Sequence, residues 1–422
     1  MKILYVSQYF PPEMGAPAAR VSELSHHWAL AGHPVSVLTG FPNHPTGIVP
    51  PDYRRKMWRF ILRENRDGVQ VVRCWLLPFA NRGAIRRILN YVSFCISSAV
   101  IGSFIARPDV VIATSPQLLV GLSGWWISRW KGVPLIFEVR DLWPESLVAV
   151  GVGDEDSFLH RCMARVAGFL YKRSDCIVVV TPAFKAHLID RWAVPKEKIV
   201  VVENGVETEM FQAAVADNAR VDLRRQWHAE NKFVVCYIGT MGMAHGLETL
   251  LDAAANLKDS RPDVFFVLVG EGAEKEHIMT LARERKLSNV RFFDQQPRAT
   301  IPAFIAASDV CLVLLKKTDV FKTVIPTKML ECMACARPVI LGVDGQAREL
   351  LESADAGLFI EPENAESLSG AIRTLADDAK LKKRLGDNGR NYVVRNASRE
   401  STALKYLVAL EEVVQSNAIA PQ

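Results

Sequence analysis

The chain has 422 residues, 49% of them hydrophobic, and no low-complexity tract, which excludes a disordered protein and is too long for one core, so two domains are expected. Its formal charge of +5 is uneven: residues 1–204 carry 24 Lys+Arg against 16 Asp+Glu, and residues 205–422 carry 27 against 30. Different partners are expected for the two halves, and no recognition motif supports nucleic acid as the partner of the basic one.

Met1 leads straight into an apolar strand, Lys2 to Ser7, and not into a targeting segment. Together with eight cysteines scattered through strand-like and helical segments, this predicts reduced thiols in a cytoplasmic protein. The loop Pro11-Pro12-Glu13-Met14-Gly15-Ala16-Pro17 follows, then a helix from Ala19 to Ala31, Gly32 as its stop, and a second strand from Pro34 to Thr39. In this βαβ unit Gly15 and Ala16 let the backbone approach a ligand closely, although a tight turn alone also uses glycine. Further strands are expected at Val69–Cys74, Asp109–Ala113, Leu135–Val139 and Cys176–Val180, giving a mostly parallel sheet.

Two segments of the first half depart from ordinary core. Arg54, Arg55, Lys56 and Arg59 are interleaved with Met57, Trp58 and Phe60. Arg82, Arg86 and Arg87 precede Ile88 to Ala106, 19 residues without a charge. That run is close to the ~20 residues a bilayer span needs, but it holds Asn90 and several serines and passes at once into a strand, so it reads as a helix of the domain. The cations suit either a solvated face or an anionic membrane surface. Next, Glu138-Val139-Arg140-Asp141 leaves a strand at its carboxyl end. Asp141 there can accept a proton or orient a hydroxyl, or pair with Arg140 to cap the loop.

The second half opens after Asn204-Gly205, a turn signal. A polar link, Glu207 to Lys232, leads to a strand at Phe233–Ile238, the loop Gly239-Thr240-Met241-Gly242 through His245-Gly246, and a helix at Leu247–Lys258. Strands at Val264–Val269, Val290–Phe293 and Val310–Leu315 follow, and the backbone at Gln295 is placed to read a base edge. Pro326 suits the start of a helix, Thr327 sits at or beside its N-cap, and Lys328 and Glu331 share one face of it. A cation at a helix N-terminus suits a diphosphate and a carboxylate one turn on suits a ribose, while an ordinary surface ion pair has the same spacing. Cys332 and Cys335 lack a second Cys or His pair nearby and read as packing residues. Residues 365–416 are helical by period.

These motifs together resemble the family 4 glycosyltransferases of GT-B fold. The resemblance rests on Pro11-Pro12 to Gly15, Gly32-His33, Asn204-Gly205-Val206, Tyr237-Ile238-Gly239 and the Glu331 helix with Arg337-Pro338. Arg140-Asp141-Leu142-Trp143-Pro144-Glu145-Ser146 and Pro326-Thr327-Lys328-x-x-Glu331 are similar to bacterial O-antigen and capsule enzymes, most closely N-acetyl-L-fucosamine transferases. The resemblance implies two Rossmann-like doubly wound domains facing across a cleft: 1–204 for the acceptor, 205–395 for the donor, and a helix at 396–422 that packs back on the first. It implies a retaining transferase that moves a deoxy amino sugar from UDP to a polyprenyl-diphosphate-linked acceptor, peripheral on the inner face of the cytoplasmic membrane, with no cofactor or metal.

By that resemblance Glu331 holds the donor ribose, Gly15 and Ala16 approach the donor phosphate and sugar, and Asp141 lies by the acceptor. Where the family's E-x7-E has its first Glu this chain has Thr323, and the backbone from Thr323 to Thr327 is expected to grip sugar hydroxyls instead. Where the family has a basic pair it has Thr240 and His245, so Lys328 and the Gly242 backbone are expected to neutralise the diphosphate. Arg140, with the group Arg54, Arg55, Trp58, Arg59, Arg86 and Arg87, is assigned to the acceptor and the membrane. The competing readings are a UDP-sugar epimerase of the same two-domain plan and a non-catalytic nucleotide-sugar-binding scaffold.

Overall fold

The computed structural model describes residues 1–44, 46–79, 84–146, 157–213 and 217–419. The chain divides into two units, Met1–Glu203 with the segment from Glu400 onwards, and Asn204–Arg399. Each is built on one sheet.

The first unit holds β1 (Ile3–Val6), β2 (Val35–Gly40), β3 (Ile61–Arg66), β4 (Val69–Cys74), β5 (Val110–Thr114), β6 (Leu135–Val139), β7 (Cys176–Val179) and β8 (Ile199–Val201). Their order is β3-β4-β2-β1-β5-β6-β7-β8, with Ile3 opposite both Val35 and Val110. Every residue of β1, β5 and β6 is buried, as parallel strands covered on both faces require. Among the described strands of this unit only β3 is antiparallel, to β4. It is an edge strand of exposed and half-buried residues rich in charge, which is why no apolar alternation announces it.

Helices α1 (Ala16–Leu30), α2 (Ala84–Phe104), α3 (Val120–Lys131), α4 (Phe158–Arg173) and α5 (Pro182–Trp192) belong to this unit. Helix α1 begins at Ala16, three residues ahead of the expected start, because Pro17 suits the first helical turn. The uncharged run 88–106 lies mostly in α2, which carries the chain from β4 to β5. A side chain at Gly102 of α2 would run into Ile127 of α3, so the glycine allows the two helices to approach closely. The C-terminal helix Arg399–Ile419 packs on α1: Tyr406 meets Trp28 edge to face with centroids 5.2 Å apart, and Trp28 Nε1 donates to the Ala403 carbonyl at 3.0 Å.

The second unit holds β9 (Phe233–Ile238), β10 (Val264–Val269), β11 (Val290–Phe293), β12 (Val310–Leu314), β13 (Val339–Gly342) and β14 (Gly357–Phe359), all parallel, in the order β11-β10-β9-β12-β13-β14. Helices α6 (Glu248–Lys258), α7 (Lys275–Glu284) and α8 (Thr327–Ala334) position its loops. Residues 207–232 are more than a link. They form helices at Thr208–Ala213 and Asp217–Trp227, and Trp227 is fully buried beside Phe304, with ring centroids 5.6 Å apart.

Strand order reverses between β1 and β5 in one sheet and between β9 and β12 in the other. Loops at the carboxyl ends of strands beside such a reversal form the crevice where open α/β sheets bind ligands. They carry Gly15 and Ala16 in the first unit, and Gly239 to Gly246 and Lys328 in the second.

Candidate active site

In the second unit, Pro326 is the N-cap of α8 and supplies no side-chain cap, so Thr327 opens the helix and Lys328 lies in its first turn. The Lys328 side chain crosses to β9, where Nζ donates to the Tyr237 hydroxyl at 3.1 Å and stands 4.4 Å from the centre of the Tyr237 ring. Tyr237 in turn donates to the Thr240 carbonyl at 2.6 Å. Gly239, with φ +142°, makes room: a Cβ there would stand 3.0 Å from Lys328 Nζ. Burial pulls the Lys328 ammonium down to about 8. His245 lies by the same lysine, its Nδ1 3.3 Å from the Leu314 carbonyl oxygen. Burial first, and the Lys328 charge second, push it down to about 3, so it is neutral near pH 7.

One turn further along α8, Glu331 Oε1 accepts from Arg298 Nη1 at 2.7 Å, and the Arg298 guanidinium lies 5.5 Å from the Phe211 ring centre. Sequence reasoning missed Arg298. It follows Pro297 in the loop after β11, and that loop's position at a strand's carboxyl end was the one available signal. Gln295 is half-buried in the same loop, and Gln296 Nε2 donates to the Asp294 carbonyl at 3.0 Å. Thr323 turns its hydroxyl back to the Val320 carbonyl at 2.6 Å within the short helix Val320–Thr323. Thr240 is exposed, and Gly242 leads in extended conformation into the turn Met243–His245.

A second glycine loop, also missed, supports the first. Gly270 and Gly272 have φ +151° and +159°, and side chains there would run into the carbonyls of Gly239 and Met241. Met241 N donates to the Glu271 carbonyl and Glu274 N to the Met241 carbonyl, each at 2.9 Å. The loop after β9 is thus held by the loop after β10. Beside it Lys275 Nζ bridges Glu271 at 2.5 Å and Asp294 at 2.6 Å.

In the first unit Gly15, with φ +139°, is the N-cap of α1 and Ala16 its first residue, both exposed. Arg140 Nη2 donates to the Ala16 carbonyl at 3.3 Å, which brings these two expected site residues together. Its Nε and Nη1 are buried without a partner among the described residues. Ser115 Oγ accepts from the backbone N–H of Arg140 at 2.7 Å and of Asp141 at 3.3 Å, which fixes the loop. Burial raises the Asp141 carboxyl to about 6, against the pull of Arg140. Behind them buried Glu138 accepts from Arg20 at 2.9 Å and from the Tyr5 hydroxyl at 2.7 Å. Glu13, passed over in the sequence, accepts from the N–H groups of Asn43 and His44 at 2.9 Å each, yet burial still lifts it to about 7.

Arg54, Arg55, Arg59 and Arg86 are exposed, Arg87 is half-buried, and Trp58 is 83% exposed. Arg82 lies outside the described residues. Cys332 and Cys335 are buried thiols within the apolar cluster around α8. Among the described residues no three His, Cys, Asp or Glu side chains converge as metal ligands do.

Family models match both halves of the chain: a glycosyl transferase 4-like domain over residues 15–205 and glycosyl transferases group 1 over residues 220–392. A putative colanic acid biosynthesis glycosyl transferase of Escherichia coli K12, WcaI, is 25% identical over 96% of this chain and 99% of its own length. Among solved structures, sucrose-phosphate synthase from Thermosynechococcus elongatus superposes with a TM-score of 0.76 at 22% identity, covering 98% of this chain and 99% of that one. HepE from Anabaena, solved in complex with UDP-glucose, superposes with a TM-score of 0.73 at 18% identity, covering 98% and 100%.

Proposed function

The chain belongs to the family 4 glycosyltransferases of GT-B fold, and on that premise we propose that it transfers a deoxy amino sugar from UDP to a polyprenyl-diphosphate-linked sugar in surface-polysaccharide assembly. N-acetyl-L-fucosamine is the first choice of sugar. The observation that carries the reading is the Lys328 ammonium held on Tyr237 against the Gly239 backbone, where the order of a parallel sheet reverses. The UDP-glucose bound by HepE and the colanic acid role in the name of WcaI support a nucleotide-sugar donor and a surface-polysaccharide product.

In this reading Glu331 accepts from the ribose hydroxyls while Arg298 fixes its carboxylate. The Gln295 backbone meets the base, and Thr240, Gly242 and the backbone from Thr323 to Thr327 take phosphate and sugar oxygens. As the bond from the sugar's anomeric carbon to the diphosphate oxygen breaks, its electron pair stays on that oxygen. Lys328 and the first N–H groups of α8 stabilise the charge that grows there. These groups supply the positive charge, so the reading requires no metal. The acceptor hydroxyl attacks from the face the diphosphate is leaving and gives its proton to a departing phosphate oxygen, which retains configuration. In the first unit Asp141 orients the acceptor hydroxyl, and the unpartnered Arg140 donors suit an acceptor phosphate. Arg54, Arg55, Trp58, Arg59, Arg86 and Arg87 face an anionic leaflet on the cytoplasmic side.

A thermal-shift screen of nucleotides and nucleotide sugars tests the donor assignment. UDP and one UDP-sugar are expected to stabilise the protein, with other nucleoside diphosphates weaker. Steady UDP release that requires added acceptor lipid separates transfer from epimerisation or simple binding. Release without acceptor, or no UDP binding, would overturn the reading.

A further inference from the structure

Helix α2 exposes Ile85, Leu89, Val92, Ile96, Val100 and Phe104, spaced three or four apart in one stripe along its length. Ile85 is 76% exposed, Ile96 61% and Phe104 82%. The stretch Ile85–Phe104 is long and apolar enough to cross a membrane, and only 22% of its most apolar window is buried. Its other side is committed to the domain. Phe94 and Ser98 are fully buried, Asn90 accepts from Gln8 at 2.5 Å and donates to the Leu77 carbonyl at 2.6 Å, and Gly102 lies against α3. A helix held in this way between β4 and β5 lies flat on the sheet.

The stripe widens at both sides. On α3, Trp126 and Trp130 are 46% and 64% exposed with rings stacked 6.2 Å apart, and Trp126 Nε1 donates to Ser103 Oγ of α2 at 3.1 Å. On the other side, Ser97 Oγ donates to the Trp75 carbonyl at 2.5 Å, and exposed Phe60 lies 6.0 Å from the Trp75 ring.

The charge around this surface is predominantly positive. Between Asp67 and Glu138 the chain holds a single carboxylate, Asp109, which accepts from the backbone N–H of Lys2. Arg86 and Arg87 stand near one end of α2, Arg129 and Lys131 are on α3, and Arg54 and Arg59 lie in the same short segment as Trp58 and Phe60. A second copy of the chain on this face would bring like charges together. An acidic phospholipid leaflet instead offers an acyl layer for the stripe, an interface for the tryptophans and anionic headgroups for the arginines.

We propose that this α2–α3 face lies in the plane of an anionic leaflet, with α2 parallel to the membrane and not across it. The inference rests on the reading of a lipid-linked acceptor and adds to it how the first unit is attached: by apolar burial, with the cations secondary.

The test is co-sedimentation of the full chain with vesicles of phosphatidylglycerol and phosphatidylcholine at about 3:7, and of phosphatidylcholine alone. The chain is expected to partition to the anionic vesicles and to stay partly bound near 1 M salt, where the Debye length is about 3 Å. Ile96→Glu with Val100→Glu is expected to cut partitioning about tenfold or more at both salts, and Trp126→Ser with Trp130→Ser several-fold. The UDP thermal shift and transfer to a short-chain, water-soluble acceptor should stay unchanged in both variants. Unaltered partitioning of the Glu variant, or complete release by salt, overturns the proposal. So does a dimer of the parent chain that the Glu variant dissolves without any vesicle binding, and so does binding that resists alkaline carbonate, which means a span. A parent chain that binds vesicles yet transfers no sugar contradicts the functional reading and leaves this one standing.

Discussion

Lys328 rests its ammonium 4.4 Å from the ring centre of Tyr237 and 3.1 Å from its hydroxyl, so the cation is anchored at the carboxyl end of β9. Because burial brings it down to about 8, the free enzyme loses the charged form as pH rises through that value. The rate kcat/KM is therefore expected to fall on the alkaline side with an apparent pKa near 8, and the limb in kcat to lie higher, since bound diphosphate favours the ammonium. Lys328→Ala should abolish the limb and cut turnover about 10²- to 10³-fold, more than it weakens binding. A pH–rate profile of both proteins checks this. Equal losses in binding and turnover would mean that the lysine binds substrate and transition state alike.

The Arg298–Glu331 pair makes a separate prediction. Glu331→Ala should weaken UDP and UDP-sugar binding together, because the ribose is common to both. Arg298→Ala should weaken both in the same sense by less, and the double variant should fall short of the sum, since the two act through one carboxylate. Titration calorimetry with UDP reads all three. A Glu331→Ala effect on turnover with UDP affinity intact would remove the ribose assignment.

Asp141 is raised to about 6, so its charged form is lost as pH falls through that value. An acidic limb near 6 is expected in the rate of transfer, absent in Asp141→Asn. That variant should lose most transfer and keep its UDP affinity. Activity within a few-fold of the parent would return Asp141 to a loop-capping role beside Arg140.

Stability of the first unit should depend on the Arg20–Glu138 pair, whose side chains are 1% and 0% exposed. Arg20→Met leaves the buried carboxylate without its ion-pair partner, with Arg140 the remaining cation nearby, and is expected to cost about 3–5 kcal/mol. Arg20→Met with Glu138→Gln should recover part of that. Urea unfolding followed by a probe in the first unit measures it, and a loss below about 1 kcal/mol would show that Tyr5, Thr114 and the nearby Arg140 charge suffice for Glu138.

Most strands were legible because parallel, doubly covered strands leave unbroken apolar runs such as Val264–Val269. The edge strand β3 was not, since its exposed, charged residues leave no such run. The helices between 207 and 232 were hidden by polar composition, although Trp227 is a core residue. At the candidate site, Lys328 and the Gly239 loop were visible as local patterns. Their contact through Tyr237 was not, because it joins β9 to a helix 91 residues further on. Arg298, and Gly270 and Gly272 beneath the first glycine loop, depend on strand order in the same way. The run 88–106 was visible as uncharged, but which of its residues face outward is decided by the packing of Phe94, Ser98 and Gly102.

Retaining transfer from a UDP-sugar to a lipid-linked acceptor leaves its signature in the stereochemistry of the product. Its most direct test is to incubate the protein with the UDP-sugar selected by thermal shift and a polyprenyl-diphosphate-linked sugar, and to determine the anomeric configuration of the product by NMR. The expected product has the configuration of the donor, with UDP released in equal amount and neither from Lys328→Ala at a comparable rate. A product of inverted configuration, or UDP release with no glycosylated lipid, would contradict it.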